Sequence, residues 1–397
     1  GAENRKGKGE QALGWYAPCL VSTVPMAIAE FGESTVVRYL LLSFIAERGG
    51  FCYNSAMNAD AAGSPMFSII VLNWNGAECL ESCLESLARQ TFRSFETICI
   101  DNASEDGSRE WLESTDLAGT IGVPSRLVLN DTNTGFAAGM NRGIRMSCGE
   151  WVVPLNVDAE LADDCLACAA ELAGETGFDM LGPRVFAYNN GRTDTTLCTG
   201  VSLTRHMSVT TRTDAADSPA PCFGPAGCAP FLSRASLETA ALPAQLTASG
   251  RDEYYDERYF AYGEDVDLYF RMNLFGFRCL YHPSLRVWHR HSATQAGVKW
   301  HTKSAATLSR LPANAFATVV KNAPLRALLS TFPVVCSSPF LMTVLLLFRR
   351  PTCALAPLAG VFRAFAGLPR SLAMRRDIMA RTTGTRSSFI PFTRGDA

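Results

Sequence analysis

The chain has 397 residues, 47% hydrophobic and 19% charged, a balance that excludes a disordered polypeptide and supplies material for a sizeable core. Lys and Arg number 36 against 38 Asp and Glu, a formal net charge of −2, which argues against nucleic acid as the main partner. The length suits two to three domains of about 150 residues, or one large α/β domain with appendages.

The first 65 residues carry little pattern. Arg5 to Lys8 is basic, and Gln11 to Ala29 is uncharged but broken by Pro18 and Pro25, a poor targeting or anchor segment. Met57 and Met66 stand just before the first convincing strand, so residues 1–65 are expected to be a loosely attached extension or an over-extended reading frame. The 14 cysteines fall mostly in apolar stretches, which predicts buried thiols in a reducing, cytoplasmic setting. Cys79 with Cys83 and Cys165 with Cys168 also have the spacing of metal or redox pairs. No second Cys/His pair stands at zinc-finger spacing.

From Phe67 the pattern is orderly. Apolar runs Phe67–Leu72, Phe95–Ile100, Arg126–Leu129 and Trp151–Leu155 alternate with helical periodicities such as Leu80, Cys83, Leu84 and Leu87. This alternation predicts a mostly parallel sheet with crossover helices, whose ligands gather at the carboxyl ends of the strands. Those ends read Asn73-Trp74-Asn75-Gly76, Asp101-Asn102-Ala103-Ser104, Asn130-Asp131 and Asn156-Val157-Asp158. Any single Asn or Asp there is explained by turn formation; four successive ends on one rim point to a polar ligand site.

Further on, a helix is expected over Ala162–Leu172 and a strand over Asp179–Phe186, followed by a Thr- and Pro-rich passage to Phe231. An aromatic loop Tyr254–Tyr262 leads into Glu264-Asp265, a helix to Phe275, and two strands, Phe277–Tyr281 and Leu285–His289. Ala327 to Phe348 has no charge and is long enough to cross a bilayer. Pro333, Ser337, Ser338 and Pro339 interrupt it, which leaves a span and a broken or re-entrant pair equally open. The basic stretch Val361–Arg381 suits an anionic membrane face; a helical hairpin packed on the domain is the alternative.

Four groups of residues carry chemistry. Asp101, Asn156 and Asp158 follow buried strands, where a nucleoside diphosphate needs base contacts and a divalent cation needs oxygen ligands. Asn133 and Gly135-Phe136-Ala137-Ala138-Gly139-Met140-Asn141-Arg142 open a helix whose small residues allow close backbone approach and whose arginine offers a cation, or else simply pack the helix on the sheet. Glu264-Asp265 at a helix start is either a dipole-favoured cap or a general base. In Trp288-His289-Arg290-His291, strand alternation sets both histidines on one face, so either is a candidate to complete the shell of a cation held by Asp158.

Taken in order, these residues resemble the inverting, nucleotide-sugar-dependent glycosyltransferases of family 2, and in particular their rhamnosyltransferase-like branch. The resemblance spans roughly residues 66–325. It rests on Ser68-Ile69-Ile70-Val71-Leu72-Asn73-Trp74-Asn75-Gly76, Asp101-Asn102-Ala103-Ser104-Glu105-Asp106-Gly107, the stretch Asn133 to Asn141, and Leu155-Asn156-Val157-Asp158 where the family carries its metal-binding Asp-x-Asp. It implies a GT-A fold, a Mg²⁺ or Mn²⁺ ion, a nucleotide-diphosphate sugar as donor and Asp265 as catalytic base, with Glu264 beside it. Donor binding is then expected at Asn73, Asn75, Asp101, Asn133, Gly135, Asn141, Arg142 and Asn156, and metal binding at Asp158, His289 and His291. Two departures stand out: the first Asp of Asp-x-Asp is Asn156, and Val157 replaces the branch's common Pro. Gln295 to Trp300 lacks the Gln-x-x-Arg-Trp of processive synthases, which implies single-sugar addition.

The C-terminal apolar stretch suggests a lipid-linked or membrane-proximal acceptor, such as a growing cell-envelope glycan. The expected location is the cytoplasmic membrane face, peripheral or with one C-terminal span, through residues 326–381 of a C-terminal region 326–397. A degenerate carbohydrate- or nucleotide-binding protein of the same fold is the rival that Asn156 favours. A nucleotidyltransferase is disfavoured because Asn73 to Glu78 contains one Gly and no Lys.

Overall fold

The computed structural model describes residues 64–174, 177–204, 207, 209–214, 217–290 and 300–383. The expected N-terminal extension up to residue 63 and the metal candidate His291 lie outside them.

The chain opens as the apolar alternation predicts: β1 (Phe67–Asn73), α1 (Leu80–Ala88), β2 (Phe95–Asp101), α2 (Ser108–Ser114), α3 (Leu117–Ile121), β3 (Ser125–Leu129), α4 (Gly135–Met146) and β4 (Trp151–Asn156). Leu80, Cys83, Leu84 and Leu87 form the buried face of α1. In α4 the small residues have a packing reason. A Cβ on Gly139 would stand 2.6 Å from a Leu72 methyl, and one on Gly143 2.5 Å from an Ile70 methyl, so only glycine lets this helix lie so close to β1.

Strands β1, β2, β3 and β4 pair in parallel, and their register aligns Asn73 with Asp101 and Leu72 with Asn156. The predicted strand ends therefore share one edge. Beyond β4 the chain adds β5 (Ala159–Leu161), α5 (Cys165–Ala173), β6 (Met180–Tyr188), β7 (Arg192–Cys198), β8 (Val201–Leu203), β9 (Val209–Thr211), β10 (Ala220–Cys222), β11 (Phe231–Ser233) and α6 (Arg234–Ala240). After the aromatic loop come α7 (Glu264–Leu274) and β12 (Cys279–His289). The large sheet has the order β10-β12-β6-β11-β4-β1-β2-β3, with β5 on β12 and β7 on β6. Its long ladders, β1 with β2 and β4, β2 with β3 and β6 with β12, are parallel as expected, and the short β11 runs antiparallel to both β4 and β6. The two strands expected over 277–289 are one strand, whose register with β6 shifts between His282 and Arg286; the turn residues Pro283 and Ser284 bend it without ending it.

Three long helices close the described chain: α8 (Ala305–Asn322), α9 (Leu325–Arg349) and α10 (Ala356–Arg381). Of the two alternatives left open for Ala327 to Phe348, an unbroken helix and a broken pair, α9 is the unbroken helix. Pro339 removes the amide that would bond the Val335 carbonyl, and the Ser338 hydroxyl donates to that carbonyl at 3.2 Å instead. The described residues all belong to one contact-dense unit, Ser55–Ala397. Its core lies on both faces of the sheet, and α10 contributes fully buried Met374 and Ile378 to the face that also holds Leu268 and Phe270. The described cysteines are free thiols, most of them buried.

Candidate active site

The rim at the ends of β1, β2 and β3 is a closed amide network. Asn73 donates to Asp101 Oδ1 at 2.9 Å, Ser104 Oγ at 3.1 Å and Ser108 Oγ at 2.8 Å. Asp101 is fully buried; its other oxygen accepts from the Ser104 amide and lies 3.4 Å from the Arg109 guanidinium. Asn102, which sequence reasoning quoted but did not single out, holds three segments at once. It donates to Asn133 Oδ1 and the Gly135 carbonyl and accepts from Asn130, the Thr134 amide and the Thr134 hydroxyl. One buried acceptor is left over, the Asn73 Oδ1 oxygen, which has no partner among the described residues. Asn75 is exposed, with a positive φ of 53°, and its side-chain oxygen accepts from the Glu105 amide.

The start and the middle of α4 serve different purposes. Gly135 has φ +85°, and a Cβ there would stand 2.6 Å from the Phe260 carbonyl oxygen; glycine is required on both counts. Asn141 is fully buried. Its amide donates to the Tyr255 carbonyl and Glu257, and its oxygen accepts from the Tyr255 amide. The expected donor ligand thus clamps the aromatic loop and has no exposed edge. Arg142 is exposed and bonds to Asn130 Oδ1.

Asp158 and His289 meet because β5, which begins immediately after Asp158, pairs antiparallel with the end of β12, setting His289 opposite Ala159. His289 Nε2 lies 2.9 Å from Asp158 Oδ1 and 3.5 Å from the Asn156 amide nitrogen. Both the Asp158 and His289 side chains are about nine-tenths buried. An oxygen and a nitrogen donor at this separation fit a divalent cation that takes its other ligands from phosphate oxygens and water. Among the described residues, no group of three or more His, Cys, Asp and Glu side chains is arranged to hold an ion without such help.

Glu264 and Asp265 start α7. Glu264 is 7% exposed and its Oε2 has no hydrogen-bond partner among the described residues. Burial, and then the neighbouring Asp265 carboxylate, push its carboxyl up to about 8. Burial also raises Asp265, which remains partly exposed, while the Val266 amide works to lower it. Asp265 Oδ2 would lie 2.6 Å from a Cβ on Gly227. The next residue, Cys228, accepts the Asn156 amide hydrogen bond at 2.9 Å. Gly227 and Cys228 therefore bridge the Asp265 carboxylate to the turn that carries Asp158.

Sequence reasoning missed the supports of this arrangement. Asp106 accepts from the amides of Ala77 and Ser108. Lys321 of α8 lies 2.6 Å from Asp256 and 2.8 Å from Asp267, all three side chains fully buried. Asn314 donates to the carbonyls of Tyr259, Ala261 and Tyr262, so α8 grips the loop that delivers Asp265. A lysine and two asparagines on the otherwise apolar or small-residue stretch 311–322 of α8 were the available signal.

Comparison with known proteins agrees with this architecture. Residues 68–239 match the model of Glycosyl transferase family 2. Over 116 residues the chain is 38% identical to a PGL/p-HBAD biosynthesis glycosyltransferase of Mycobacterium bovis (strain BCG / Pasteur 1173P2), an alignment covering 28% of this chain and 43% of that protein. It is 30% identical over 132 residues to glycosyltransferase AglE of Haloferax volcanii, covering 32% of this chain and 42% of that one. The chain thus spans less than half the length of these curated relatives. Among solved structures, GalNAc-T7 with UDP, GalNAc and Mn²⁺ aligns with a TM-score of 0.51 at 15% identity, over 73% of this chain and 57% of that one. The fold is that of the GT-A glycosyltransferases.

Proposed function

We propose that the chain is an inverting glycosyltransferase that moves one sugar from a nucleotide-diphosphate donor to a hydroxyl of a glycan or lipid-linked acceptor, in cell-envelope polysaccharide synthesis at a membrane surface. The observation that carries this reading is the bridge Gly227-Cys228, which joins the Asp158–His289 pair to the Asp265 carboxylate. The match over residues 68–239 and the names of the relatives support the same class.

Asp265 is partly exposed and raised by burial, so it is a stronger base than a solvated carboxylate. It takes the proton of the acceptor hydroxyl as that oxygen bonds to the anomeric carbon and the bond to the leaving diphosphate breaks on the opposite face. Asp158 and His289, with His291 as a further candidate, would hold Mg²⁺ or Mn²⁺, which when bound offsets the charge of the diphosphate. The orphaned Asn73 oxygen is a ready acceptor for a base or ribose donor, with Asp101, Asn75, Asn133 and Gly135 shaping the loops around it. Arg142 supplies an exposed cation on the same rim. Asn141 and Glu264 act at one remove, the first by holding the aromatic loop and the second by staying protonated beneath Asp265. The membrane contact is assigned to α9 and α10, long and apolar helices whose Leu329, Leu341, Phe348 and Phe362 are more than half exposed.

Thermal melting with a panel of nucleoside diphosphates and nucleotide sugars, with and without Mn²⁺, tests the donor site. One nucleotide family should stabilise the protein only with metal, by about 2–3 kcal/mol at a hundredfold excess over Kd, and Asp158→Ala should remove the effect. Nucleotide binding without metal dependence and without sugar transfer would favour the degenerate binding protein that Asn156 suggests.

A further inference from the structure

The outer edge of the large sheet brings together two thiols that no local spacing links. Cys222, at the end of β10, stands directly opposite Cys279, at the start of β12. Their sulfurs are 3.2 Å apart, and each residue is 1% exposed. Residues directly opposite in an antiparallel pair have Cα atoms about 4.5–5.5 Å apart, inside the range that a disulfide bridges. Other cysteines nearby are turned elsewhere. Cys198 exchanges hydrogen bonds with the amide and carbonyl of Gly200, and Cys83, one of those that sequence spacing suggested as a pair, turns to the Asn156 carbonyl.

The chain that follows Cys222 lies along one stripe of α7. Asn273 donates to the Phe223 carbonyl at 2.8 Å, the Tyr269 ring fills the place that a Cβ on Gly224 would take, and Asp265 Oδ2 does the same at Gly227. Residues 265, 269 and 273 are four apart and share a helix face, so the segment from Cys222 to Gly227 runs from the thiol pair to the carboxylate. At the Cys222 end it is held by β10, a three-residue strand on the outside of the sheet order. A short edge ladder opens more readily than a central one.

We propose that Cys222 and Cys279 form a disulfide on reaction with a small-molecule disulfide, and that this cross-link pins the segment leading to Gly227 and Asp265. The site stands independently of the glycosyltransfer reading. Two exchanges make the bond. One cysteine, its proton lost to solvent, attacks a sulfur of the small disulfide and releases a first small thiolate. The other, likewise deprotonated, attacks the protein sulfur of the mixed disulfide and releases the second. The two thiolates take up the two protons, and the two electrons lost by the protein are gained by the small disulfide. Burial and the neighbouring Cys222 push the Cys279 thiol well above its usual range, so exchange is slow while β10 is seated and follows its opening. Reclosure then sets the second sulfur against the mixed disulfide.

The test incubates the folded full chain with oxidised glutathione, then alkylates and digests it. Peptide mass spectrometry should find Cys222 joined to Cys279, lighter by two hydrogens, ahead of any other cysteine pair, whereas the same treatment in urea should scatter the pairings. Oxidation should raise the melting temperature and slow amide exchange over residues 223–227 by roughly tenfold or more, both reversed by dithiothreitol. Cys222→Ser should abolish both changes and Cys198→Ser should keep them. The mapping is made on the unaltered protein, so it survives if a variant misfolds. No reaction at Cys222 and Cys279 in the folded chain, glutathione adducts that never resolve, or a Cys198–Cys222 link in place of the expected one would overturn the site. A Cys222–Cys279 link that leaves exchange over residues 223–227 unchanged would overturn the pinning of the segment.

Discussion

Two carboxyl groups follow one another at the start of α7, and their surroundings drive them apart in function. Glu264 is buried with an unpartnered oxygen and raised to about 8, whereas Asp265 keeps an open side and a hydrogen bond from the Val266 amide. At neutral pH a protonated Glu264 would spare Asp265 a second negative charge beside it, which the proposed base role requires. Asp265→Asn should lower transfer by about 10²–10⁴-fold while leaving metal-dependent nucleotide stabilisation in place; turnover near the unaltered rate would remove Asp265 from the role. Glu264 makes a separate prediction for stability. Its folded-state value lies above the ordinary 4.5, so between those two pH values the folded state holds a proton that the unfolded chain has lost. Stability from this group is complete below about pH 4.5 and is lost as pH rises toward 8. Glu264→Gln, which mimics the protonated acid, should flatten that part of the melting-temperature profile and retain transfer at neutral pH.

The loop Tyr254–Tyr262 and helix α8 work as one element. Burial acts to raise the Asp256 carboxyl, and Lys321 and Arg258 overcome it, holding it well below the usual range. Lys321 also reaches Asp267, which Arg271 pairs from the other side. Lys321→Met strips one cation from two buried carboxylates, and removal of one partner from a buried pair costs about 3–5 kcal/mol. Urea unfolding should register a loss of that order, and a change within 1 kcal/mol would mean the remaining arginines suffice. This element also marks the limit of what the sequence reveals. The placing of Asn73, Asp101 and Asp158 on one strand-end rim was legible because each continuous apolar run ends at a fixed place and the rim follows from the topology. Lys321 and Asp256 are 65 residues apart and no local period links them. Asn141 was legible as important but misread in kind, since a buried amide after a glycine-rich helix start looks the same whether it meets a ligand or, as here, the Tyr255 backbone.

At the scale of the whole molecule, the boundary drawn after residue 325 separates a catalytic body from a membrane-facing tail, and the helices do not respect it. Helix α9 keeps large apolar side chains outward, with Phe348 84% exposed. Helix α10 does two things at once: Phe362 and Phe365 face out, while Met374 and Ile378 enter the core beside Leu268 and Phe270. Composition could not divide these roles, because an apolar stripe flanked by arginines suits a bilayer surface and a packed helix equally. Arg258 adds a tie, donating toward the Gly367 carbonyl and Ser371 of α10 from the loop that precedes Asp265. If α10 were only an anchor, Met374→Ala would leave melting of the body unchanged. A fully buried Met in a continuous core predicts a loss of about 2–5 kcal/mol on truncation to Ala, seen as a lower melting temperature in detergent and in detergent-free buffer alike. The exposed Phe362→Ser should show the opposite pattern, with melting preserved and sedimentation with anionic vesicles weakened. Together the two variants separate the half of α10 that builds the folded body from the half assigned to the membrane.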